Sequence, residues 1–169
     1  MKKTVLTYGL ISAAVAIVMM AITMPFIHSR QMGIADTLGY TSMFLSALLV
    51  FFGVRAYRQQ TPDGRLTFGR GLAVGLLITL ISTACYIVAF EVVYFHLVPD
   101  FGDTFSACMI ERTRDSGGTP EQIAATTQQA ATLKRLYDHP VTNALLTFAT
   151  TFPVGLGGAL LSAWILRRR

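Results

Sequence analysis

Charged residues are scarce in this chain, and four long stretches contain none at all. Only 14% of the 169 residues are charged while 53% are hydrophobic, and the mean hydropathy is +0.53. This composition excludes an ordinary water-soluble domain. The charge-free stretches cover residues 5–27, 37–54, 71–90 and 141–166. At about 1.5 Å per helical residue, they approach or exceed the roughly 30 Å thickness of a hydrocarbon core.

The sequence therefore predicts an all-α fold, an integral membrane bundle of four transmembrane helices in a single domain. We place the spans at about residues 5–27, 37–54, 71–98 and 141–166. Lys2 and Lys3 before the first span, with Ala14-Val15-Ala16 inside it, also resemble a cleaved signal peptide. Because the apolar run continues unbroken to Ile27, we expect a retained anchor.

Catalytic and metal-binding motifs are also missing. There is no Gly-x-Ser-x-Gly, phosphate-binding loop, His-Glu-x-x-His or Cys-x-x-Cys, so we expect no enzyme activity, cofactor or metal. The two cysteines, Cys85 and Cys108, are separated by roughly 20 Å or more if the helix continues, and are expected to be free. His28, His96 and His139 all fall at predicted outer ends of spans, but no pair has helical ligand spacing. A metal or pH-sensing cluster would depend on how separate helices pack.

Lysine and arginine gather at alternate ends of the spans, which predicts the orientation. One side has only five such residues, Arg30, Arg112, Arg114, Lys134 and Arg135. The other has nine, Lys2, Lys3, Arg55, Arg58, Arg65, Arg70, Arg167, Arg168 and Arg169. Both termini are therefore expected in the cytoplasm and residues 99–140 on the outer side. The net charge of +5 does not indicate nucleic acid, because the basic residues lie beside membrane ends.

The long third connection predicts a helical hairpin outside the membrane, at about residues 100–139. Gly117 and Gly118 mark its turn, and Asp103 is expected to cap the first helix. Thr119 and Gln122 form a capping box for the second helix, with Pro120 at its first position. The hairpin either covers the outer ends of the bundle or acts as a partner-docking arm or lid.

Small residues recur at four-residue spacing within the third and fourth spans, as they do where membrane helices approach closely. They seat neighbouring helices of one bundle or drive homodimerisation. Pro153 should bend the fourth span, with Thr150 and Thr151 helping to satisfy freed backbone groups. The candidate packing faces consist of Gly71, Gly75, Gly155, Gly158, Ala159 and Ser162.

Glu91 is the candidate functional carboxylate, because an ionisable residue in an apolar stretch is a functional-site hypothesis. Its depth, roughly 30 Å from Gly71, places it near the outer interface. It either handles a proton or cation, with Thr79, Ser82 and Thr83 along a path, or pairs with Arg30, His28 or backbone groups. At the other end, candidate contacts for anionic lipid headgroups are Arg55, Arg58, Arg65 and Arg70, whose alternative role is only to set topology.

Several blocks of sequence resemble a known family. They are MKKTVLTYGLISAA, LGYTSMFLSALLVFFGVRAYR, GRLTFGRGLAVGLLITLISTACYIV, VPDF and FPVGLGGALLSAWILRRR. The chain resembles, over essentially its full length, the bacterial membrane-protein family catalogued as domain of unknown function four thousand one hundred and ninety-nine. The resemblance implies a bacterial inner-membrane protein with four spans, and it implies no activity or site residues.

By elimination, we expect a non-enzymatic membrane component that binds lipid or another membrane protein. The alternative is a small oligomeric transporter or channel for a small solute or cation that uses Glu91. The expected partners are membrane lipids, with a membrane-protein partner or further copies of the chain, and no nucleic acid.

Overall fold

The computed structural model describes residues 1–28, 32–61 and 65–167, with the side chains of all but His28 and Met32. Within these ranges the chain is all-α, as predicted, and contains no strand. The helices are α1 (Lys2–His28), α2 (Met32–Gln59), α3 (Phe68–Val92), α4 (Phe101–Asp115), α5 (Pro120–Tyr137) and α6 (Pro140–Leu166). A π-helical turn, Val93–Leu97, continues α3.

Four of these helices are long and apolar enough to cross a membrane, which confirms that part of the prediction. The segments that meet this condition are Lys2–Ile27, Gly33–Gln59, Phe68–Leu97 and Pro140–Leu166. The second is longer at both ends than the charge-free stretch in the sequence, because a helix continues beyond the hydrocarbon core into the interface, where charged side chains are tolerated.

The four long helices form a ring in the order α1, α2, α6, α3, with the most extensive contact between α3 and α6. Both described ends of the chain lie at one end of this ring. Thr4 donates a hydrogen bond to Gln60 Oε1 (2.8 Å). Val5 and Leu166 belong to the same buried cluster as Leu66, which is fully enclosed although it precedes α3. We call this the arginine-rich end.

Close approach of helix backbones at small residues holds the bundle together. A Cβ at Gly75 would lie 3.1 Å from the Cα of Ala159, and one at Gly158 would lie 3.3 Å from the Cα of Ala47. Gly71 similarly faces Ala163. In lipid, where apolar burial gives no driving force between helices, such contacts carry much of the packing energy. These candidate packing residues therefore contact other helices of the same chain.

Helix α6 continues through Pro153 as one helix. The hydroxyl of Thr150 donates to the carbonyl of Leu146, and that of Thr151 donates to the carbonyl of Thr147. These bonds reinforce the turn before the proline. Pro153 has no N–H to donate to the carbonyl of Ala149, and neither threonine hydroxyl bonds that carbonyl.

Helices α4 and α5 contact each other along their lengths, and we call the pair the arm. Its second helix begins as predicted, since Thr119 and Gln122 form the capping box and Pro120 is the first helical residue. Gly117 has a φ of +77° in the connecting turn, a conformation that glycine adopts without strain.

The expectation that Asp103 caps α4 is wrong. The helix begins three residues earlier, with Asp100 at the N-cap position and Asp103 in the first turn. Asp103 instead accepts a hydrogen bond from Lys134 of α5 (2.5 Å). Either aspartate is compatible with a helix start. Asp103 is instead engaged by Lys134, which lies in a distant part of the sequence.

Two adjacent glycines of α6 test the packing argument. Gly158→Leu would drive a side chain into the backbone of α2 and should destabilise the protein by about 1–3 kcal/mol. Gly157→Leu, whose Cβ would meet nothing within 4 Å, should be neutral or slightly stabilising, because leucine favours the helix over glycine. Thermal unfolding in detergent, followed by circular dichroism, compares the two variants. Equal destabilisation would contradict the packing described.

Candidate functional site

A cavity of about 230 Å³ lies inside the bundle, in the half nearest the arm. All four long helices contribute to its wall, and Phe101 from the start of α4 reaches it as well. We call it the bundle cavity. Its lining is mainly apolar with a minority of hydroxyl groups, and none of the lining side chains is charged. The hydroxyl-bearing residues are Thr23, Ser42, Ser46, Thr79, Ser82, Thr83, Tyr86 and Thr151.

The hydroxyl of Thr79 is unusual among these groups. The side chain is only 3% exposed, and its Oγ1 has no hydrogen-bond partner among the described residues. Helical serines and threonines commonly donate to the carbonyl four residues earlier, as Thr23 and Ser162 do here. A buried polar atom without a partner costs roughly 1–3 kcal/mol. The hydroxyl of Thr79 is therefore the buried polar atom in the described residues that a bound molecule or water could stabilise.

Gly155 of α6 makes room for Thr79, because a Cβ at this position would overlap the threonine side chain. Both residues line the bundle cavity. Thr79 lies near the middle of the Phe68–Leu97 segment, so the unpartnered hydroxyl is at mid-depth of the span, where water is least available to bond it.

A second cavity, of about 200 Å³, lies between the arm and the π-helical turn. We call it the arm cavity. Aromatic and aliphatic side chains dominate its lining. Ala130, which also lines the cavity, is fully buried. Its lining residues are Phe90, Tyr94, Phe101, Gly102, Phe105, Ser106, Met109, Ala130, Leu133, Lys134 and Tyr137.

The two cavities share two wall residues, Phe90 and Phe101. Their rings meet edge to face with centroids 5.9 Å apart, an arrangement that aromatic pairs favour. Tyr86 stacks on Phe90 from the bundle side, and Tyr137 contacts Phe90 from the arm side. The pair of phenylalanines is thus the partition between the cavities.

The π-helical turn fixes the partition to the arm. Within it Tyr94 is 5% exposed and donates a hydrogen bond to Asp138 Oδ1 (2.8 Å), at the end of α5. Buried Asn143, in the first turn of α6, donates to the carbonyl of Tyr137 (3.0 Å). Such turns are frequent at functional sites. Burial raises the pKa of the Tyr137 phenol.

Ion pairs and one thiol contact tie α4 to other helices. Arg112 pairs with Asp36 of α2 (2.7 Å), and the thiol of Cys108 lies 3.6 Å from the carbonyl of Ile27. Within the arm, the hydrogen bond to Asp103 raises the pKa of Lys134. Exposed pairs of this kind contribute little to stability, so they fix the position of the arm more than they stabilise the fold.

The structure brings some predicted site residues together and leaves others apart. Thr79, Ser82 and Thr83 all line the bundle cavity. Glu91 lines neither cavity, is half-buried, and has no hydrogen bond or ion pair with another described residue. Its predicted partners, Arg30 and the side chain of His28, lie outside the described residues.

The remaining candidates line neither cavity. Arg55, Arg65 and Arg70 are exposed at the arginine-rich end, and Arg58 is half-buried there. His96 and His139 are exposed near the arm. Across residues 1–28, 32–61 and 65–167, no group of three or more His, Cys, Asp or Glu side chains could hold a metal ion. Neither cysteine forms a disulfide, as predicted, and Cys108 is buried.

Sequence reasoning missed the residues that separate the two cavities. A signal existed, because Tyr86, Phe90 and Tyr94 follow one another at four-residue spacing and so form a row on one helical face. The contribution of Phe101 could not be found in the same way. Its approach to Phe90 depends on how the connection before α4 turns back over the bundle.

These features define the class of the molecule, an α-helical protein with four potential membrane spans and a cavity between them. The chain belongs to the family described as "Protein of unknown function (DUF4199)", whose match covers residues 7–168. No curated protein matches the sequence, and no solved structure matches it.

The Tyr94 anchor can be tested directly. Tyr94→Phe removes the hydroxyl that bonds Asp138, and the loss of a hydrogen bond to a charged acceptor should cost about 1.5–3 kcal/mol. Amide hydrogen exchange in residues 120–140 should accelerate more than exchange in α2. Tyr40→Phe is the matched control, because Tyr40 is 73% exposed and its hydroxyl should not affect stability. Unchanged exchange in the arm would show that this bond does not anchor it.

Proposed function

We propose that this protein is a non-enzymatic, multi-pass membrane protein that binds a neutral, lipid-like molecule in the bundle cavity. The observation that carries the proposal is the buried hydroxyl of Thr79, which has no partner among the described residues and belongs to a side chain in the wall of a mainly apolar cavity. A ligand with one hydroxyl or carbonyl group would satisfy it while its hydrocarbon part fills the remaining space.

The chemistry of the wall supports an uncharged ligand. No lining residue of the bundle cavity is charged, so an ionised group would be desolvated there without a counter-ion, which is strongly unfavourable. A water-soluble polar ligand is disfavoured too, because its several hydrogen-bonding groups would find mainly apolar side chains. Membrane lipids supply molecules of the required kind at high local concentration.

The alternative function is a small oligomeric transporter or channel. The hydroxyls of Thr79, Ser82 and Thr83 on one cavity support it, but Glu91 lies outside that cavity. The arginine-rich half of the bundle is also closely packed around Val54, Leu66 and Val74. A passage through it would require these buried residues to move apart, so we favour the binding function.

We further propose that the protein resides in the inner membrane of a bacterium with both termini in the cytoplasm. The arm is then the predicted helical hairpin on the outer side. The excess of basic residues at the arginine-rich end supports this orientation. Exposed Arg55, Arg65 and Arg70 at that end would contact anionic headgroups, each contributing about 1 kcal/mol. A membrane-protein partner or a second copy remains compatible with this arrangement.

Photolabelling tests the binding function. The probe is a long-chain alcohol of about sixteen carbons with a diazirine beside its hydroxyl, added to the purified protein in phosphatidylcholine liposomes. Saturable labelling of residues that line the bundle cavity is expected. Thr79→Val should weaken it roughly five- to tenfold, the effect of losing one hydrogen bond.

Thr23→Val is the control for this experiment. Thr23 also lines the cavity, but its hydroxyl already donates to the carbonyl of Met19, so labelling should not change. Labelling that is not saturable, or that is equal in the two variants, would contradict the binding function. Cation flux into liposomes that disappears in Glu91→Gln would instead favour the transporter.

The orientation has a separate test. In a variant without native cysteines, Ser116→Cys in the exposed turn of the arm should react with an impermeant maleimide in intact spheroplasts. Gly69→Cys, whose Cβ meets nothing within 4 Å near the arginine-rich end, should react only after lysis. The reverse pattern would overturn the orientation. Native Cys108 is unsuitable for this purpose because it is 2% exposed.

A further inference from the structure

We propose that the bundle cavity and the arm cavity are two parts of one elongated site, which holds a single long hydrocarbon chain across the partition formed by Phe90 and Phe101. The neutral polar group of this ligand bonds Thr79, and its far end lies among Phe105, Met109 and Leu133 of the arm. This inference rests on the proposed function and specifies the class of ligand, a neutral lipid with one long chain.

The shape of the bundle cavity supports a chain over a compact molecule. Thr79 and Phe90 both line it, and at about 1.5 Å per residue they are about 16 Å apart along the axis of α3. A volume of about 230 Å³ distributed over that length leaves a narrow space. A linear chain fits such a space better than a ring system does.

The size of the two cavities indicates how long the chain is. A cavity of about 150 Å³ binds benzene, which has six non-hydrogen atoms. By that measure the bundle cavity, at about 230 Å³, and the arm cavity, at about 200 Å³, each hold roughly eight or nine such atoms. Either one alone takes only a short fragment, whereas the two in series take a chain of about sixteen carbons.

The partition is made of side chains that can rotate. Only the rings of Phe90 and Phe101 are shared by both walls, and no hydrogen bond holds either ring in place. The backbone around them is better fixed, because Tyr94 is bonded to Asp138 four residues beyond Phe90. A chain that passes between the rings would replace the contact of Phe90 with Phe101 by apolar contacts of its own.

The chemistry at the two ends sets the direction of the ligand. In the bundle cavity, Thr79 is the buried polar atom that lacks a partner. In the arm cavity three of the four polar side chains are already engaged, since Tyr94 bonds Asp138, Lys134 bonds Asp103 and Ser106 bonds the carbonyl of Gly102. A polar end therefore gains a new hydrogen bond at Thr79, and the arm cavity suits the methyl end.

Two photoprobes distinguish this inference from the proposed function itself. Both are long-chain alcohols of about sixteen carbons, one with the diazirine beside the hydroxyl and the other with it at the far end. In phosphatidylcholine liposomes containing the full chain, the first should label α1, α3 or α6 within the bundle cavity. The second should label α4 or α5 at residues of the arm cavity, and unlabelled alcohol should compete with both.

Filling the arm cavity gives a second measurement. Ala130 is 1% exposed and lines that cavity, whereas its neighbour Ala131 is exposed. Ala130→Leu should reduce far-end labelling of the arm at least fivefold and leave labelling by the first probe intact, and Ala131→Leu should change neither. Leu133→Phe fills the same cavity and replaces Ala130→Leu if that variant fails to fold.

The outcomes separate the two proposals. If both probes label only the bundle cavity, the elongated site is overturned while the binding function stands. If arm labelling by the far-end probe is unaffected when the arm cavity is filled, the chain does not occupy that cavity and the inference also fails. If neither probe labels saturably, the binding function is overturned, and the elongated site with it.

Discussion

The close contact between α3 and α6 is the constraint on which the rest of the structure depends. Apolar side chains gain little from leaving lipid for a protein interior, so membrane helices associate through shape and close backbone approach. Here Gly75 lies against Ala159, and Gly71 against Ala163. Larger residues at these positions would separate the two helices and enlarge the spaces between all four.

The same contact explains why the bundle is dense at one end and hollow at the other. Toward the arginine-rich end, small residues of α3 and α6 interlock around a buried cluster that includes Val50 and Leu66. Beyond Thr79 the wall changes to hydroxyl-bearing and aromatic side chains, and the bundle cavity begins. The hydroxyl of Thr79 lies at this boundary. The position of the cavity follows from where close packing ends.

Local features of the chain were predictable from the sequence, whereas features that join distant residues were not. The capping box of Thr119 and Gln122 depends on residues three positions apart, and the structure contains it. The four apolar spans follow likewise from unbroken stretches of sequence. The role of Asp103 was mistaken because its partner, Lys134, belongs to another helix. No local rule selects between capping a helix and pairing across the arm.

The candidate site illustrates the same distinction within a single helix. Thr79, Ser82 and Thr83 were grouped with Glu91 because all four belong to one apolar segment, but only the hydroxyls line the cavity. Ser82 and Thr83 are three and four residues from Thr79, which places all three on one face. Glu91 is twelve residues from Thr79, and at about 100° per residue its side chain is turned roughly 120° away from that face. Phe90, eleven residues from Thr79, does return to it and forms the wall there with Phe101. The cavity is neutral because the rotation of the helix directs an aromatic ring into it and turns the carboxylate away, and the preference for an uncharged ligand follows from this.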